Sequence, residues 1–341
     1  MRLDLFATEP QFADHLAAVW HALPATLRGD FIVPSRMRDR ASARGIEGGP
    51  TMHDESRPVL VASYGDNVRM RRMGRKRIAY IEHGAGQAYP GDRKNPDHPT
   101  YAGGKNRDDV GLFMMPNEYS AALWRAAYPE AQVEVIGCPK LDTLPALEAD
   151  TGTVCISFHW YAEHAIQETR GTFGYYREIL PELAQRFRLI GHGHPRALDA
   201  GLPRLRREYA RLGIELVEDF EDVCRRASLY VFDNSSSGFE FAATGRPVVV
   251  MNEPEGRYPG RGYRTKVNHG LRFWDAAAVG INVWHSAQLV DAIERAMIDP
   301  PEVRRAREAA LDIVYAYRSG APQRAALALA AWMDERVEVA A

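Results

Sequence analysis

Cysteine is scarce in this chain. The three it has, Cys138, Cys155 and Cys224, lie at no metal-binding spacing, which argues against a zinc module or a disulfide-stapled scaffold and fits a reducing cytoplasm. Charge of one sign is also missing: 43 Lys and Arg stand against 45 Asp and Glu, a formal net charge of −2. That balance argues against a nucleic-acid scaffold or a protein that is basic overall and lies on membranes. No apolar run is long enough to span a bilayer, and Met1-Arg-Leu-Asp-Leu5 lacks the layout of a signal peptide. The sequence therefore predicts a cytoplasmic protein with no transmembrane segment. Internal repeats are absent, and the Ala-rich C-terminus is the one biased tract. What remains is 341 residues, long for one domain and comfortable for two, each able to bury its own core.

Apolar runs and amphipathic stretches alternate along the chain, which predicts a parallel sheet in each half. Strands are expected at 2–6, 31–33, 59–62, 77–82, 111–115 and 132–136, with helices at 11–23 and 117–127 and a polar loop over 35–57. A domain break is expected in 144–152. The second half opens with a strand at 153–158 and continues with strands at 188–191, 214–217, 229–232, 248–251 and 280–283. Helices are expected at 175–187, 202–212, 220–227, 239–244, 286–297, 301–317 and 322–337.

The most informative stretch is Asp233-Asn-Ser-Ser-Ser-Gly-Phe-Glu240, followed by Phe-Ala-Ala-Thr-Gly-Arg-Pro247 and a run of Val. Small residues at a strand-to-helix turn leave backbone N–H groups free at the positive end of the helix dipole, where a phosphate can sit. Ser235, Ser236 and Ser237 add donors there and Gly238 keeps the approach open. Glu240, one turn on, can accept hydrogen bonds from a ribose diol, at about 1.5–3 kcal/mol for each bond to a charged acceptor. The same residues also serve as an ordinary cap, because Ser and Asn are preferred at that position; the local sequence admits both readings.

Two histidine motifs carry further chemistry. Glu82-His83-Gly84-Ala85-Gly86 follows an expected strand, where open α/β sheets place their ligands. With an ordinary pKa near 6.5, His83 can take a proton from an acceptor hydroxyl at neutral pH, so activity is expected to rise through neutrality. A turn-capping histidine is the plain alternative. Gly191-His192-Gly193-His194-Pro195-Arg196 places two histidines on opposite sides of an extended segment, a poor arrangement for one metal. No HExxH, Cys pair or Asp cluster supports zinc, and no metal is expected. His192 is expected to make a local hydrogen bond. His159, at the end of the first strand of the second half, either faces phosphate or base or is a buried strand-end histidine. The basic run from Arg69 to Arg77 would draw an anionic acceptor or the inner face of a membrane, although a solvated helix face is the commoner reason for such a run.

Asp233, Ser235, Ser236, Glu240 and Thr244-Gly-Arg-Pro247 resemble, without a gap, the C-terminal signature of the CDP-glycerol glycerophosphotransferases, which polymerise teichoic acids. The stretch is more distantly similar to the UDP-N-acetylglucosamine 2-epimerases, in which an Asp-Ser-Gly-Gly turn holds phosphate and a Glu at the place of Glu240 holds ribose. The departure is Glu240, where the teichoic family usually has Asp. His83-Gly84 resembles that family's proposed general-base pair, although Ala85-Gly-Gln-Ala88 lacks the Thr-Pro-Leu-Lys that usually follows. His194-Pro195 resembles its donor-phosphate His-Pro, with Arg196 as a helper, and Ser157-Phe-His-Trp160 takes the place of its Pro-Thr-Trp segment. Gly137-Cys-Pro-Lys-Leu-Asp142 resembles the Gly-x-Pro-Arg-x-Asp segment that ends the family's first domain, an expected hinge.

The resemblance implies an α/β protein of the GT-B fold. Two Rossmann-like parallel-sheet domains would face a central cleft: an acceptor-side domain over 1–148 and a donor domain over 149–320. A C-terminal helix, 321–341, would cross back to the N-terminal domain around Ala331-Trp-Met333. It implies a transferase passing glycerophosphate, or another polyol phosphate, from CDP-glycerol to an acceptor hydroxyl on a glycan, glycolipid or protein. The alternatives are a glycosyltransferase using a nucleotide sugar, a 2-epimerase-like enzyme, or a catalytically silent GT-B module. Catalytic roles fall to His83 and His194. Nucleotide and phosphate contacts fall to Ser235, Ser236, Ser237, Gly238, Glu240, Arg196 and His159. No cofactor beyond the activated donor is implied.

Overall fold

The computed structural model describes residues 1–84, 91–92, 95–99, 107–159, 172–195, 198, 203–233, 235–252 and 279–338. It divides into two compact units, one built from the chain up to Thr143 and again from Tyr315 onward, the other from Leu144–Val314.

In the first unit the strands are β1 (Leu3–Phe6), β2 (Arg28–Ile32), β3 (Gly48–Gly49), β4 (Val59–Val61) and β5 (Ile78–Ile81). After a two-stranded antiparallel hairpin, β6 (Gly91–Asp92) and β7 (Asn95–Pro99), come β8 (Val110–Met115) and β9 (Gln132–Val135). Seven of these form one sheet in the order β3-β2-β1-β4-β5-β8-β9, parallel at every pairing. β1, β4 and β5 are buried along their whole lengths, as a parallel sheet covered on both faces requires.

The region 35–57, expected as loop, contains a 3₁₀ turn at Ser35–Met37, a helix at Arg38–Ala43 and strand β3. The basic run lies largely on a helix at Tyr64–Arg72, capped by Ser63, whose hydroxyl accepts from the Asp66 N–H. Arg69, Arg71 and Arg72 are exposed on it, whereas Arg75 is buried and pairs with Asp4 at 2.7 Å.

The chain re-enters this unit through a helix at Ala321–Glu338. Its Trp332 and Met333 join the core that β1, β4 and the helix Pro10–Ala22 also build. Gly111 is glycine for that reason, since a Cβ there would meet the Trp332 indole at 2.8 Å. Asp142 seats the helix by accepting hydrogen bonds from the N–H groups of Gly320 and Ala321 at 2.5 and 3.2 Å. Arg324 reaches back to the Ile136 carbonyl at 2.9 Å. The Gly137 to Asp142 segment thus does structural work at the start of the returning helix.

The second unit holds β10 (Val154–Phe158), β11 (Leu189–Gly193), β12 (Glu215–Leu216), β13 (Leu229–Phe232), β14 (Val248–Met251) and β15 (Ile281–Val283). Their order is β12-β11-β10-β13-β14-β15, again parallel throughout. Chain progression runs outward from β10 to one side and then resumes on its other side at β13. In such doubly wound sheets, ligands bind where the order reverses, outside the carboxyl ends of the two central strands. Here that place is the C-terminal end of β10 and β13.

Candidate functional site at the carboxyl ends of the strands

Three residues from the sequence motifs emerge side by side from the second sheet. Register pairs Phe158 with Gly193 and Ser157 with Phe232, so His159, His194 and Asp233 are each the first residue past a strand end. The His159 and His194 rings meet edge to face with centroids 4.8 Å apart. His159 is buried and His194 is partly exposed. Asp233 points back across the sheet end. Its carboxylate accepts from the His159 N–H at 2.8 Å, from the Thr172 N–H at 2.7 Å and from the Thr172 hydroxyl at 3.3 Å.

The helix of the Ser-rich motif spans Ser236–Ala242. It begins three residues before the expected start, because the serines themselves form the cap and first turn. Ser235 is the cap, and its hydroxyl accepts from the Ser237 N–H at 3.2 Å and from the Ser237 hydroxyl at 2.8 Å. Ser237 also lies 2.9 Å from the Tyr230 hydroxyl. Ser235 and Ser237 are therefore occupied with the turn, a capping arrangement worth about 1 kcal/mol. The Ser236 hydroxyl has no partner among the described residues. Gly238 is demanded by packing: a Cβ there would lie 2.2 Å from the Phe232 ring, so only glycine lets the helix close on β13. Glu240, one turn in, is buried.

The rest of the signature is architectural. The Thr244 hydroxyl donates to the Phe241 carbonyl, Gly245 takes a left-handed conformation at φ 85°, and Arg246 spreads over the Phe241 ring at 4.3 Å. The Arg246 guanidinium also donates to the Cys224 and Ala227 carbonyls at 2.6 and 2.7 Å, and burial lowers its pKa. Arg307, fully buried, holds the Gly245 carbonyl at 3.1 Å while pairing with both Asp299 oxygens. Thr-Gly-Arg-Pro thus fixes the far end of the helix and the entry to β14, which in turn fixes where its first turn sits.

His192 makes the local bond expected of it, Nδ1 donating to the Val217 carbonyl at 2.8 Å. A carbonyl only accepts, so Nδ1 carries the proton. Arg196 lies outside the described residues.

The first unit places His83 just past β5, where Ile81 is the last strand residue. Phe12 and His15, one turn apart on the helix Pro10–Ala22, present their rings to it at centroid distances of 4.8 and 6.5 Å. The Cys138 sulfur lies 3.9 Å from His15 Nδ1. His83 bonds to the Ala62 backbone, while its Nδ1 is buried without a hydrogen bond, 3.6 Å from the Glu82 carboxylate. Glu82 meanwhile accepts from the Gly84 N–H at 3.0 Å.

Burial, with a smaller contribution from the Lys140 charge, pushes the His83 pKa down to about 4, against the raising effect of the Ala62 bond. His15 is likewise held well below 6.5 by burial, by Lys140 and by His83. This corrects the expectation of a group titrating near neutrality: both imidazoles are neutral well below pH 7. The lone pair on Nδ1 also faces inward, so acting as a base requires the ring to turn and present it. Phe12 and His15 were not legible as neighbours of His83. The Phe12-x-x-His15 spacing, one helical face, was the available signal.

No protein-family model and no curated protein matches the sequence. Solved structures do match in shape. The wall teichoic acid polymerase TagF, soaked with CDPG, superposes with a TM-score of 0.62 at 11% identity, over 98% of this chain and 89% of that one. The UDP-GlcNAc 2-epimerase of Neisseria meningitidis bound to UDP-GlcNAc gives 0.53 at 13% identity, over 98% and 100%. The S. aureus MnaA–UDP co-structure gives 0.56 at 12% identity, over 95% and 94%. These likenesses establish the class: the chain has the two-domain α/β GT-B fold, with its C-terminal helix returned to the N-terminal unit.

Proposed function

We propose that this chain is a GT-B enzyme that moves a group from a nucleotide-diphosphate donor to an acceptor hydroxyl, in the manner of a glycerophosphotransferase. The observation that carries the reading is the cluster at the switch point of the second sheet. His159, His194 and the Ser235–Ser236 turn converge on the strand ends where doubly wound sheets bind nucleotides. Likeness to proteins solved with CDPG, UDP and UDP-GlcNAc supports the choice of ligand class.

In this reading the acceptor oxygen attacks the donor's β-phosphorus, a new O–P bond forms, and the bond to CMP breaks. The acceptor proton passes to His83 once its ring has turned. Glu82, the carboxylate next to it in the chain, steadies the imidazolium that results. Charge on the leaving phosphate is met by His194, the Ser236 hydroxyl, Arg196 and the backbone donors of the turn, with no metal required. Glu240 holds the ribose diol. A second reading rests on the likeness to the epimerase bound to UDP-GlcNAc: the donor is a nucleotide sugar, reaction falls on the sugar, and a nucleoside diphosphate leaves. In the cell the protein works in the cytoplasm, with acceptors of glycan, glycolipid or protein type.

Thermal-shift screening against CDP-glycerol, CDP-ribitol and the common UDP, GDP and TDP sugars tests the proposal. A true donor at a hundred times its dissociation constant should stabilise the protein by about 2.7 kcal/mol. Release of CMP in a turnover assay selects the first reading and release of a nucleoside diphosphate the second. No shift with any nucleotide sinks both.

A further inference from the structure

Asp233 stands at the centre of the second unit's site, yet its carboxylate is spent on the protein. It is buried, and it gathers three donors: the His159 N–H, the Thr172 N–H and the Thr172 hydroxyl. His159 and Thr172 are 74 and 61 residues away in sequence. They are the described residues at either end of the connection that leaves β10, and both bonds end on one side chain. That side chain in turn begins the turn carrying Ser235 and Ser236. The same anchor sets the His159 backbone, and with it the ring that packs edge to face on His194.

We propose that Asp233 is a positioning residue for the donor site: it touches no ligand, and acts by fixing the His159 backbone at the switch point and, through it, the ring that packs on His194. The inference rests on the nucleotide reading above and deepens it. Physically, a carboxylate can serve two N–H donors and a hydroxyl at once because it is acceptor-only, with about four lone-pair sites. An amide cannot. In Asp233→Asn one oxygen becomes an NH₂ group facing a backbone N–H, so one of the two anchors must open. Bonds to a charged acceptor are also the stronger kind, so neither a serine nor an asparagine would reproduce this anchor.

The role differs from that of a ligand contact in what it couples to. An anchor acting through His159 loses its effect once the imidazole is gone. A group that touches the ligand itself does not.

The test is a double-mutant cycle on binding, with UDP and CDP as probes and isothermal titration as readout. Asp233→Asn should weaken both probes by about tenfold, and His159→Ala by a similar factor. The double variant should be no weaker than about twice the poorer single variant, against the roughly hundredfold expected if the losses were independent. Amide hydrogen exchange at His159 and Thr172 should rise in Asp233→Asn and be near normal in His159→Ala.

If Asp233→Asn fails to fold, Thr172→Val removes the hydroxyl bond alone and should weaken the probes two- to threefold. Asp233→Asn with a lowered melting temperature but unchanged affinity would overturn the proposal, as would losses that multiply. Absence of probe binding to the wild-type protein would remove the nucleotide reading itself, and this proposal with it.

Discussion

The two histidine sites occupy the same place in two sheets of the same kind, and their surroundings are opposite. His83 stands past the end of β5 among Phe12, His15 and a buried thiol, and its pKa falls to about 4. His159 and His194 stand past the ends of β10 and β11 beside a carboxylate that accepts from His159 and Thr172 and a run of hydroxyls. A ring nitrogen packed among apolar groups without a partner loses its proton, while a hydrogen-bonded strand end organises donors around an anion. The comparison teaches that strand-end placement nominates a residue for function, and that packing decides which function its chemistry allows.

The largest effect that can break this contrast is on turnover. His83→Ala should lower the rate on the true donor and acceptor by roughly 10²–10⁴-fold. Because a base must be neutral to act, and His83 is neutral above about pH 4, the acid limb of kcat/KM should lie near that pH and be flat through neutrality. A limb near 6.5 would show that the ring is solvated in the working enzyme, contrary to its packing here.

Acid stability sharpens the same point. The folded-state pKa values of His83 and His15 lie below the unfolded value near 6.5, so the unfolded chain binds more protons in that window. Stability is therefore full above pH 6.5 and falls as pH drops toward 4, by at most about 3 kcal/mol from His83. Thermal melts over pH 7 to 4 should show the drop, and His83→Gln should flatten it. An equal slope in wild type and variant would contradict the assignment.

A smaller effect is expected at the serine turn. Ser236→Ala removes the hydroxyl that has no partner among the described residues and should weaken UDP and CDP several-fold without moving the melting temperature. Ser235→Ala should do the reverse, because its hydroxyl is the helix cap: about 1 kcal/mol of stability lost and a lesser change in affinity. Titration and melting of the two variants distinguish a binding hydroxyl from a structural one.

Much of the fold was legible because a buried parallel strand is a short apolar run and little else. Leu229–Phe232 and Val248–Met251 fall where those runs are. The helix at Tyr64–Arg72 was harder to read, since its arginines hide any apolar stripe and its signal is the Ser63-x-x-Asp66 cap. The serine helix was placed three residues late, because serine and glycine are weak helix formers in the interior and good ones at a first turn. Thr-Gly-Arg-Pro, the closing part of the Asp233 to Pro247 block that carries the resemblance, holds structure through Arg246 and Arg307. Asp233's partners, and the contact of His15 with His83, join residues far apart in the chain. Those pairings exist only once the sheets have formed, and no local pattern announces them.

The most direct test of the account is one titration performed on three proteins. UDP and CDP should bind the wild type, should bind His83→Ala with wild-type affinity, and should bind His194→Ala at least tenfold more weakly. Equal affinity in His194→Ala and wild type, or a matching loss in His83→Ala, would contradict the division between a donor site in the second unit and a base in the first.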